Sequence, residues 1–300
     1  MEWAASVEWA AVEAAEDNEA PTASTMEPAV LLSVAYDGRV FSGFAPQPSR
    51  RTIAGELLGA LRALDPTIRE VRGASRTDAG VHARDQRVAF DPTASIPPRG
   101  WVLGATRHLP PEIAVRRAAL VPAGFAPRLR GIAKVYRYVI MRDVVRDPFL
   151  EGRAWRVEGL IPAGAVVRAR EEAARAVGTH DFAAFRSSAD EREHTVRTLH
   201  AVDVIENATD PRLLAITVRG DAFMHNMVRI LVGTIVDVAR GRLAPGAIDR
   251  ALASRDRRDA GITAPPDGLC LDRVELEDEG TDAWPADPRS ASPLPEMERE

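Results

Sequence analysis

The sequence predicts an α+β protein whose two halves are laid out alike. Segments with the two-residue period of strands alternate with segments of helical period along the 300-residue chain. Each half contains strands and at least one helix with an apolar stripe, and the halves meet near Gly131. Because 45% of the residues are hydrophobic, a chain of this length is able to bury a sizeable core.

Individual elements follow from local patterns. Residues 30–36 form a β-rich run that ends at a turn dipeptide, and residues 86–90 are predicted as a second strand. Thr52 is a suitable N-cap for a helix whose apolar residues recur at three- and four-residue spacing. In the second half, the patterns predict strands at residues 135–141, 195–205 and 213–219 and helices at residues 166–177 and 222–239.

Charge is distributed unevenly along the chain. The net charge of −5 contains −7 from residues 1–28 and −5 from residues 278–300, so residues 29–277 carry +7. Nearly all of that positive charge is arginine, with Lys134 as the one lysine. A basic body of this kind favours an RNA partner.

The two ends are expected to lie outside the folded body. Residues 1–28 are acidic and are expected to be disordered, with Met26 as a candidate initiator; the alternative is a short helix over residues 2–19. Residues 278–300 are rich in Pro, Asp, Glu and Ser and are also expected to be disordered. The rest of the chain divides into an N-terminal α+β domain that carries the candidate catalytic acid and a C-terminal α+β domain, residues 29–130 and 131–277.

Composition excludes several kinds of protein. Cys270 is the single cysteine, so the chain forms neither an intrachain disulfide nor a thiolate metal cluster. No apolar run approaches the roughly 20 residues needed to span a bilayer, and the N-terminal residues lack the basic start of a secretory signal. The histidines show no metal-ligand spacing. We therefore expect a cytoplasmic protein that uses neither a metal nor another cofactor.

The most informative stretch is residues 73–82, Gly-Ala-Ser-Arg-Thr-Asp-Ala-Gly-Val-His. Thr77 and Asp78 are turn formers, and the small residues that follow allow a bulky substrate to approach the backbone. One carboxylate flanked by cationic side chains suggests a nucleophile. The alternative for Asp78 is a turn aspartate that bonds its own backbone.

A second candidate, Arg229, lies in a predicted helix that is apolar on nearly every side between residues 227 and 238. Such a helix is expected to be buried, and a buried guanidinium requires an acid. Asp78 is the candidate partner, since the pair would keep the carboxylate ionised for attack. A purely structural pair with Asp237 or Asp221 is the alternative.

A predicted strand supplies a third group of residues, Lys134-Val135-Tyr136-Arg137-Tyr138. Tyr136 and Tyr138 share one face because side chains alternate along a strand. Aromatic and basic side chains on a strand are suited to stacking on an extruded base and to holding its phosphate. Core packing is the more usual fate of strand tyrosines.

Together these segments resemble the tRNA pseudouridine synthase A family. Arg-Thr-Asp-Ala-Gly-Val-His is similar to the family's active-site motif, and Phe-x-His-x-Met-Val-Arg-x-x-Val-Gly is similar to its second signature. Lys-x-Tyr-x-Tyr is similar to a third motif. Further similar segments in the same order extend the resemblance over residues 29–277.

The resemblance implies a role for each candidate residue. Asp78 would act on the ribose, by attacking the anomeric carbon or by assisting a glycal route, with Arg229 beside it and Tyr136 in the active site. Arg76 would help to expel and replace the target nucleotide, or would contact a phosphate. The other substrate-binding candidates are Lys134, Tyr138, which is open between substrate wall and core, and His82, for which a structural hydrogen-bonding role is favoured.

The resemblance also implies the fold and the reaction. The fold is an extended antiparallel sheet flanked by helices, with a basic RNA-binding cleft between the two halves. The reaction is the isomerisation of uridine to pseudouridine in the anticodon arm of tRNA, at positions 38–40, without a cofactor. The assembly is a homodimer in which one tRNA touches both subunits.

This sequence departs from the family pattern at several positions. Ser75 stands where glycine is usual, Asp85 replaces a glycine, Thr106 stands where asparagine is common, and residues 44–46 replace a Trp-Gln pair. None of these changes removes a candidate catalytic side chain. Asp85 adds a negative charge near the expected RNA path and therefore bears on substrate preference.

Two other functions remain open. A non-catalytic tRNA-binding or tRNA-folding protein would use the same basic cleft, and the intact set of Asp78, Arg229 and Tyr136 argues against it. A glycosidase or base-excision enzyme would need a second carboxylate or a water activator near the first, and the sequence offers no good candidate.

Overall fold

The centre of the protein is one continuous sheet of eleven strands, in a computed structural model that describes residues 28–158, 164–190 and 193–285. The strands are β1 (Ala29–Tyr36), β2 (Arg72–Gly73), β3 (His82–Phe90), β4 (Ile113–Val121), β5 (Gly131–Met141), β6 (Trp155–Arg156), β7 (Gly178–Asp181), β8 (Val196–Glu206), β9 (Leu213–Gly220), β10 (Leu269–Leu276) and β11 (Thr281–Trp284). The α-helices are α1 (Ile53–Arg62), α2 (Pro98–His108), α3 (Ala165–Ala174), α4 (Met227–Ala239) and α5 (Ala247–Ser254). The predicted α+β class is confirmed.

The strands follow one another across the sheet in the order β11–β4–β1–β3–β10–β5–β9–β8–β7, while β2 pairs with β3 and β6 pairs with β5. Neighbouring strands are antiparallel except in the β10–β3 and β5–β6 pairs. The implied extended sheet, mainly antiparallel and flanked by helices, is therefore present. None of the helices in the described ranges is long and apolar enough to cross a membrane.

Strand β10 joins the two halves of the sheet. It pairs with β3, where Cys270 lies opposite His82, and on its other side it pairs with β5. Strands β1 to β4 lie on the β3 side with α1 and α2, and strands β5 to β9 lie on the other side with α3, α4 and α5. Each half thus contains strands and packing helices, as the sequence predicts.

Helix α1 forms where its capping pattern predicts it. The Thr52 side chain accepts a hydrogen bond from the Gly55 backbone N–H at 3.3 Å, which satisfies a free donor of the first turn. Leu57 and Leu61 are completely buried on the apolar stripe. The helix packs against α2, which in turn packs on β4.

Helix α4 begins later than the pattern predicts. Asn226 adopts a left-handed backbone conformation with φ of 61°, so the helix starts at Met227 rather than at residue 222. Asparagine tolerates this region better than most residues. The segment that precedes the helix is therefore irregular, and its side chains are available to line a site.

The segment after β10 crosses the sheet of the first half. The Glu279 carboxylate lies 2.6 Å from the Arg87 guanidinium of β3 and 3.3 Å from that of Arg117 in β4. The chain then forms β11, which pairs with the far edge of β4. The expected disorder of residues 278–300 is therefore wrong for residues 278–285, which ion pairs and a strand pairing hold in place. Residues 286–300 and the N-terminal residues 1–27, including the alternative helix, lie outside the described residues.

Candidate active site

A cleft of about 960 Å³ is lined by residues from both halves of the protein. The loop of residues 42–47, the turn of residues 73–79, strand β5 and the segment of residues 223–229 all contribute to it. Its cationic side chains outnumber its acidic ones: they are Arg50, Arg76, Arg128, Lys134 and Arg229, against Asp78 and Asp190. The predicted basic cleft between the halves is therefore present, and it contains Asp78.

Asp78 lies in the turn that leads from β2 into β3. The preceding residue, Thr77, accepts a hydrogen bond at its carbonyl from the Phe44 backbone N–H at 3.0 Å. Gly43, with φ of +100°, lies so close that a Cβ there would come within 2.9 Å of the same carbonyl oxygen. The Asp78 carboxylate has no hydrogen bond to the described backbone, unlike an aspartate that merely stabilises its own turn. Backbone contacts hold the turn, and the carboxylate is left facing the cleft.

Arg229 lies beside Asp78, as predicted. Its Nη1 is 3.6 Å from Asp78 Oδ2, and the two side chains are 16% and 25% exposed. Its Nε donates to the Ala264 carbonyl at 2.8 Å, and its Nη1 donates to Asn226 Oδ1 at 2.7 Å. Two neutral acceptors therefore fix the guanidinium without consuming its charge, which is directed to Asp78.

The alternative partners of Arg229 are engaged elsewhere. Asp237 accepts a hydrogen bond from the Ile262 backbone N–H at 3.2 Å. Asp221 contacts His200 on an exposed part of the second half. The structure therefore brings together Arg229 and Asp78 rather than either alternative pair.

His225 is a second cationic candidate that the sequence analysis did not single out. Its Nε2 is 3.5 Å from Asp78 Oδ1, and its side chain is 42% exposed. The four-residue spacing from His225 to Arg229 was a signal, because residues so spaced share a face of a helix. The irregular backbone before α4 still directs both side chains to the same carboxylate.

Tyr136 presents its hydroxyl to the cleft. The hydroxyl lies 2.8 Å from Ser75 Oγ, and the ring packs edge-on against Phe223 with 5.1 Å between the ring centroids. The residue is only 6% exposed. Burial raises the pKa of Tyr136 to about 12, so the phenol carries its proton at neutral pH. Phe223, which the sequence analysis did not assign, completes this wall of the cleft.

A hydrogen-bond network connects the Asp78 turn to strands β1 and β3. The Tyr36 hydroxyl and the Thr77 hydroxyl are 2.7 Å apart, and the Gln86 amide donates to the Ser75 carbonyl at 2.7 Å. Burial raises the pKa of Tyr36 well above its usual range, so its hydroxyl stays protonated and acts as a hydrogen-bond donor in the network. Because these groups are satisfied and buried, the turn has little freedom to move.

The structure places two further predicted residues at the cleft. Arg76 is exposed and lines the cleft, and its guanidinium has no hydrogen-bond or ion-pair partner among the residues that the structure describes. Lys134 is partly buried and also lines the cleft, two residues before Tyr136 on strand β5. Both positions suit contacts with an anionic substrate.

Tyr138 and His82, by contrast, do not line the cleft. Tyr138 is completely buried, and its hydroxyl donates to the Pro265 carbonyl at 2.7 Å. His82 Nε2 is 2.9 Å from the Gly152 carbonyl oxygen, while its Nδ1 is 3.3 Å from the Gly38 backbone nitrogen. The assignment of Tyr138 and His82 as substrate-binding residues is therefore corrected: Tyr138 belongs to the core, and His82 joins three segments of backbone, since its Nε2 also lies 3.2 Å from the Asp267 carbonyl oxygen.

Asp85 does not add charge to the cleft. Its carboxylate accepts a hydrogen bond from the Ser33 hydroxyl at 2.6 Å and lies 2.9 Å from Arg87 Nε. Gln86, the next residue of β3, points toward the Asp78 turn, so Asp85 points to the opposite face of the sheet. The expected effect of Asp85 on the RNA path is not supported, because the strand alternation removes it from the cleft. In the described ranges, no group of three or more His, Cys, Asp or Glu side chains is arranged to hold a metal ion.

Comparison with known proteins gives the chain a family. A family model described as tRNA pseudouridine synthase matches residues 173–276. The tRNA pseudouridine synthase A of Geobacter sulfurreducens is 40% identical to it, with 82% of this chain and 99% of the relative covered. The protein of the same name from Halalkalibacterium halodurans is 37% identical, with 82% and 91% covered. The chain belongs to the tRNA pseudouridine synthase A family, whose members are isomerases.

Proposed function

We propose that this protein isomerises uridine to pseudouridine in the anticodon arm of tRNA, at positions 38–40, with Asp78 as the nucleophile. The observation that carries the proposal is the Asp78 carboxylate in a basic cleft, 3.6 Å from the Arg229 guanidinium, with the protonated phenol of Tyr136 in the lining of the same cleft. The names of the relatives support tRNA as the substrate. The resemblance of the motifs supports the anticodon arm.

The reaction rearranges bonds within one nucleotide. The C1′–N1 bond breaks, the uracil turns, and a C1′–C5 bond forms; C5 then loses its proton and N1 gains one. Asp78 acts on the ribose, either by bonding to C1′ or by taking a proton in a glycal route. Both routes need a fixed carboxylate, and the Arg229 guanidinium lies 3.6 Å from that of Asp78.

Tyr136 and Phe223 give the detached base a surface on which to turn. Their rings meet edge-on at one wall of the cleft, and flat bases stack on such aromatic side chains. Enzymes that act on a base in a duplex must extrude it, and a cleft of about 960 Å³ has the volume to receive a nucleotide. The cationic rim supplies partners for the flanking phosphates.

The proposal includes a cytoplasmic homodimer in which one tRNA touches both subunits. The excess of basic residues between positions 29 and 277 supports binding to an extended polyanion. Sedimentation of the protein with and without tRNA tests this part. Two protein chains for each tightly bound tRNA are expected, and one chain for each tRNA would contradict the dimer.

The test of the proposal is incubation with an unmodified tRNA transcript, followed by carbodiimide adduct mapping of pseudouridine. Adducts confined to positions 38–40 are expected. The isomerisation keeps the base attached to the tRNA, so no base should be released. Release of free uracil would instead indicate a glycosidase. Tight tRNA binding without any adduct would indicate the non-catalytic RNA-binding protein.

Arg229 is expected to matter more for turnover than for folding. Arg229→Lys keeps a positive charge, but a single ammonium is unable to reach Ala264, Asn226 and Asp78 in the same geometry. We expect at least about a 100-fold loss of turnover, because a small displacement of a catalytic group has effects of that size. Single-turnover assays and thermal unfolding measure the two effects.

Arg229→Leu serves as the comparison for charge. It should abolish turnover and also reduce the free energy of unfolding by about 1–3 kcal/mol, since the partly buried Asp78 carboxylate loses its partner. Near-normal turnover of either variant would show that Arg229 does not assist Asp78.

Arg76 is expected to act on the pairing of the target nucleotide. Its exposed guanidinium is available to replace the extruded base in a stem. Arg76→Ala should therefore slow the modification of a base-paired uridine by about 10-fold or more, because extrusion of a paired base costs a few kcal/mol. The measurement compares hairpins with the target uridine paired or mismatched.

A mismatch opposite the target uridine should restore most of the lost rate in Arg76→Ala. A loss of equal size on both hairpins would instead assign Arg76 to a simple phosphate contact. If Arg76 makes a phosphate contact, Arg76→Ala should also reduce the salt dependence of tRNA binding.

A further inference from the structure

Ser75 has an unusually well-defined position in the cleft wall. It lies three residues before Asp78, and the amide of Gln86 clamps its backbone on both sides. The Ser75 backbone N–H donates to Gln86 Oε1 at 3.1 Å, and Gln86 Nε2 donates to the Ser75 carbonyl at 2.7 Å. Gln86 is completely buried, so the clamp is shielded from competing water. The Ser75 hydroxyl is therefore presented from a fixed backbone.

That hydroxyl meets the phenol of Tyr136. The Ser75 Oγ and Tyr136 hydroxyl oxygen are 2.8 Å apart, a normal distance for a hydrogen bond between hydroxyl groups. Among the described residues, Ser75 is the hydrogen-bond partner of this phenol. The ring is already held by Phe223 at 5.1 Å, and either hydroxyl is able to donate in the bond. When Ser75 Oγ is the donor, the Tyr136 oxygen accepts, and the phenol proton is left to donate to a group in the cleft.

The contact depends on the hydroxyl of Ser75. A residue without a hydroxyl, such as glycine or alanine, would leave the same backbone clamp without this bond. Water or substrate would then set the direction of the phenol. The serine instead pre-orients it before the substrate arrives, and pre-orientation removes an ordering cost from the reacting complex.

We propose that Ser75 is a positioning residue, whose hydroxyl donates to the Tyr136 oxygen and so leaves the phenol O–H to donate to the uracil of the target nucleotide. The inference rests on the proposed function, since it requires a uracil in the cleft. Among the described residues, the side-chain hydrogen bond of Ser75 is to Tyr136 and not to Asp78, so its effect on the reaction is expected to pass through Tyr136.

The test is a double-mutant cycle of Ser75→Ala and Tyr136→Phe in single-turnover assays at saturating protein. Ser75→Ala removes only the hydroxyl, and it should slow pseudouridine formation by about 3- to 10-fold, the usual size of one net hydrogen bond. In the Tyr136→Phe background, the same substitution should change the rate by less than about 2-fold, since the partner is absent. Ser75→Gly, which also removes the hydroxyl, should match Ser75→Ala.

Binding and stability measurements separate positioning from a structural role. Ser75→Ala should leave the tRNA Kd and the melting temperature unchanged. An equal loss of rate in both backgrounds, no loss in either, or a loss that follows the melting temperature would overturn the inference while leaving the proposed function intact. A wild-type protein that forms no pseudouridine would refute the proposed function, and the inference with it.

Discussion

Asp78→Asn is expected to abolish pseudouridine formation while tRNA binding and the fold remain intact. The substitution keeps the size of the side chain and removes the negative charge that both routes to the detached base require. We expect turnover below about a hundredth of the wild-type rate. The fold should survive, because the Asp78 turn is held by the Phe44–Thr77 backbone bond and the network below it rather than by the carboxylate.

Two further variants sharpen this prediction. Asp78→Glu retains the charge but moves the carboxylate away from Arg229 and His225, and it should also lose about 100-fold or more in rate. Asp259→Asn changes the charge by the same amount at an exposed position in a short turn and should have no effect. Single-turnover rates, filter binding of tRNA and thermal unfolding provide the comparison. Residual turnover well above a hundredth in Asp78→Asn would remove Asp78 from the nucleophile role.

The parts of the site that the sequence predicted are those with an obligatory chemical need. Arg229 lies in a helix buried on almost all sides, and such a charge must meet an acid. That reasoning left Asp237 and Asp221 open, and the motif resemblance favoured Asp78, which the structure places 3.6 Å away. Tyr136 followed from motif resemblance and strand position. Tyr138 illustrates the limit of that reasoning, because strand alternation places it on the same side as Tyr136 but says nothing of what covers it. Pro265, brought there from far along the chain, covers its hydroxyl.

Two residues of the cleft that the sequence does not predict depend on backbone geometry rather than on a sequence pattern. His225 and Phe223 reach the cleft because Asn226 adopts a left-handed conformation and delays the start of α4. A helical period continues through that conformation without a visible break. Asp85 shows the reverse error, since proximity to Asp78 in sequence suggested the cleft, whereas alternation along β3 directs it to the other face.

Two elements of the fold, helix α2 and strand β11, are not predicted by the periodicity of the sequence. Helix α2 begins with proline and contains two glycines, which weaken a helical pattern. Strand β11 has only four residues within an acidic segment, and its partner β4 is distant in sequence. Its formation depends on tertiary contacts with the sheet, which local composition does not report.

Truncation of the chain after Glu277 is expected to destabilise the protein strongly, whereas truncation after Pro285 is not. The segment of residues 278–285 holds three kinds of contact. Glu279 pairs with Arg87 and Arg117, two guanidiniums whose side chains are only 8% and 13% exposed. Gly280 lies against β4, and Trp284 packs on the core beside α2. Without the segment, the edge of β4 would be open to pairing with other chains.

The expected size of the effect follows from these contacts. Loss of strand pairing, of the partly buried tryptophan and of a half-exposed carboxylate should reduce the free energy of unfolding by roughly 3 kcal/mol. For a protein of this size, such a loss should lower the melting temperature by about 6–12 °C. Catalysis should persist at low temperature, because the residues proposed to act on the nucleotide lie outside the deleted segment.

Glu279→Gln in the full chain isolates the ion pairs from the strand. It should account for the smaller part of the loss, since Asp85 still neutralises Arg87.

Truncation after Pro285 removes further acidic residues and retains β11. The free energy of unfolding should therefore stay constant, while tRNA affinity at low salt stays the same or rises. If truncation after Glu277 left the melting temperature unchanged, the crossing segment would be an appendage rather than part of the sheet. Strand β11 covers the edge of β4. We therefore expect the protein truncated after Glu277 to aggregate as well as to melt at a lower temperature.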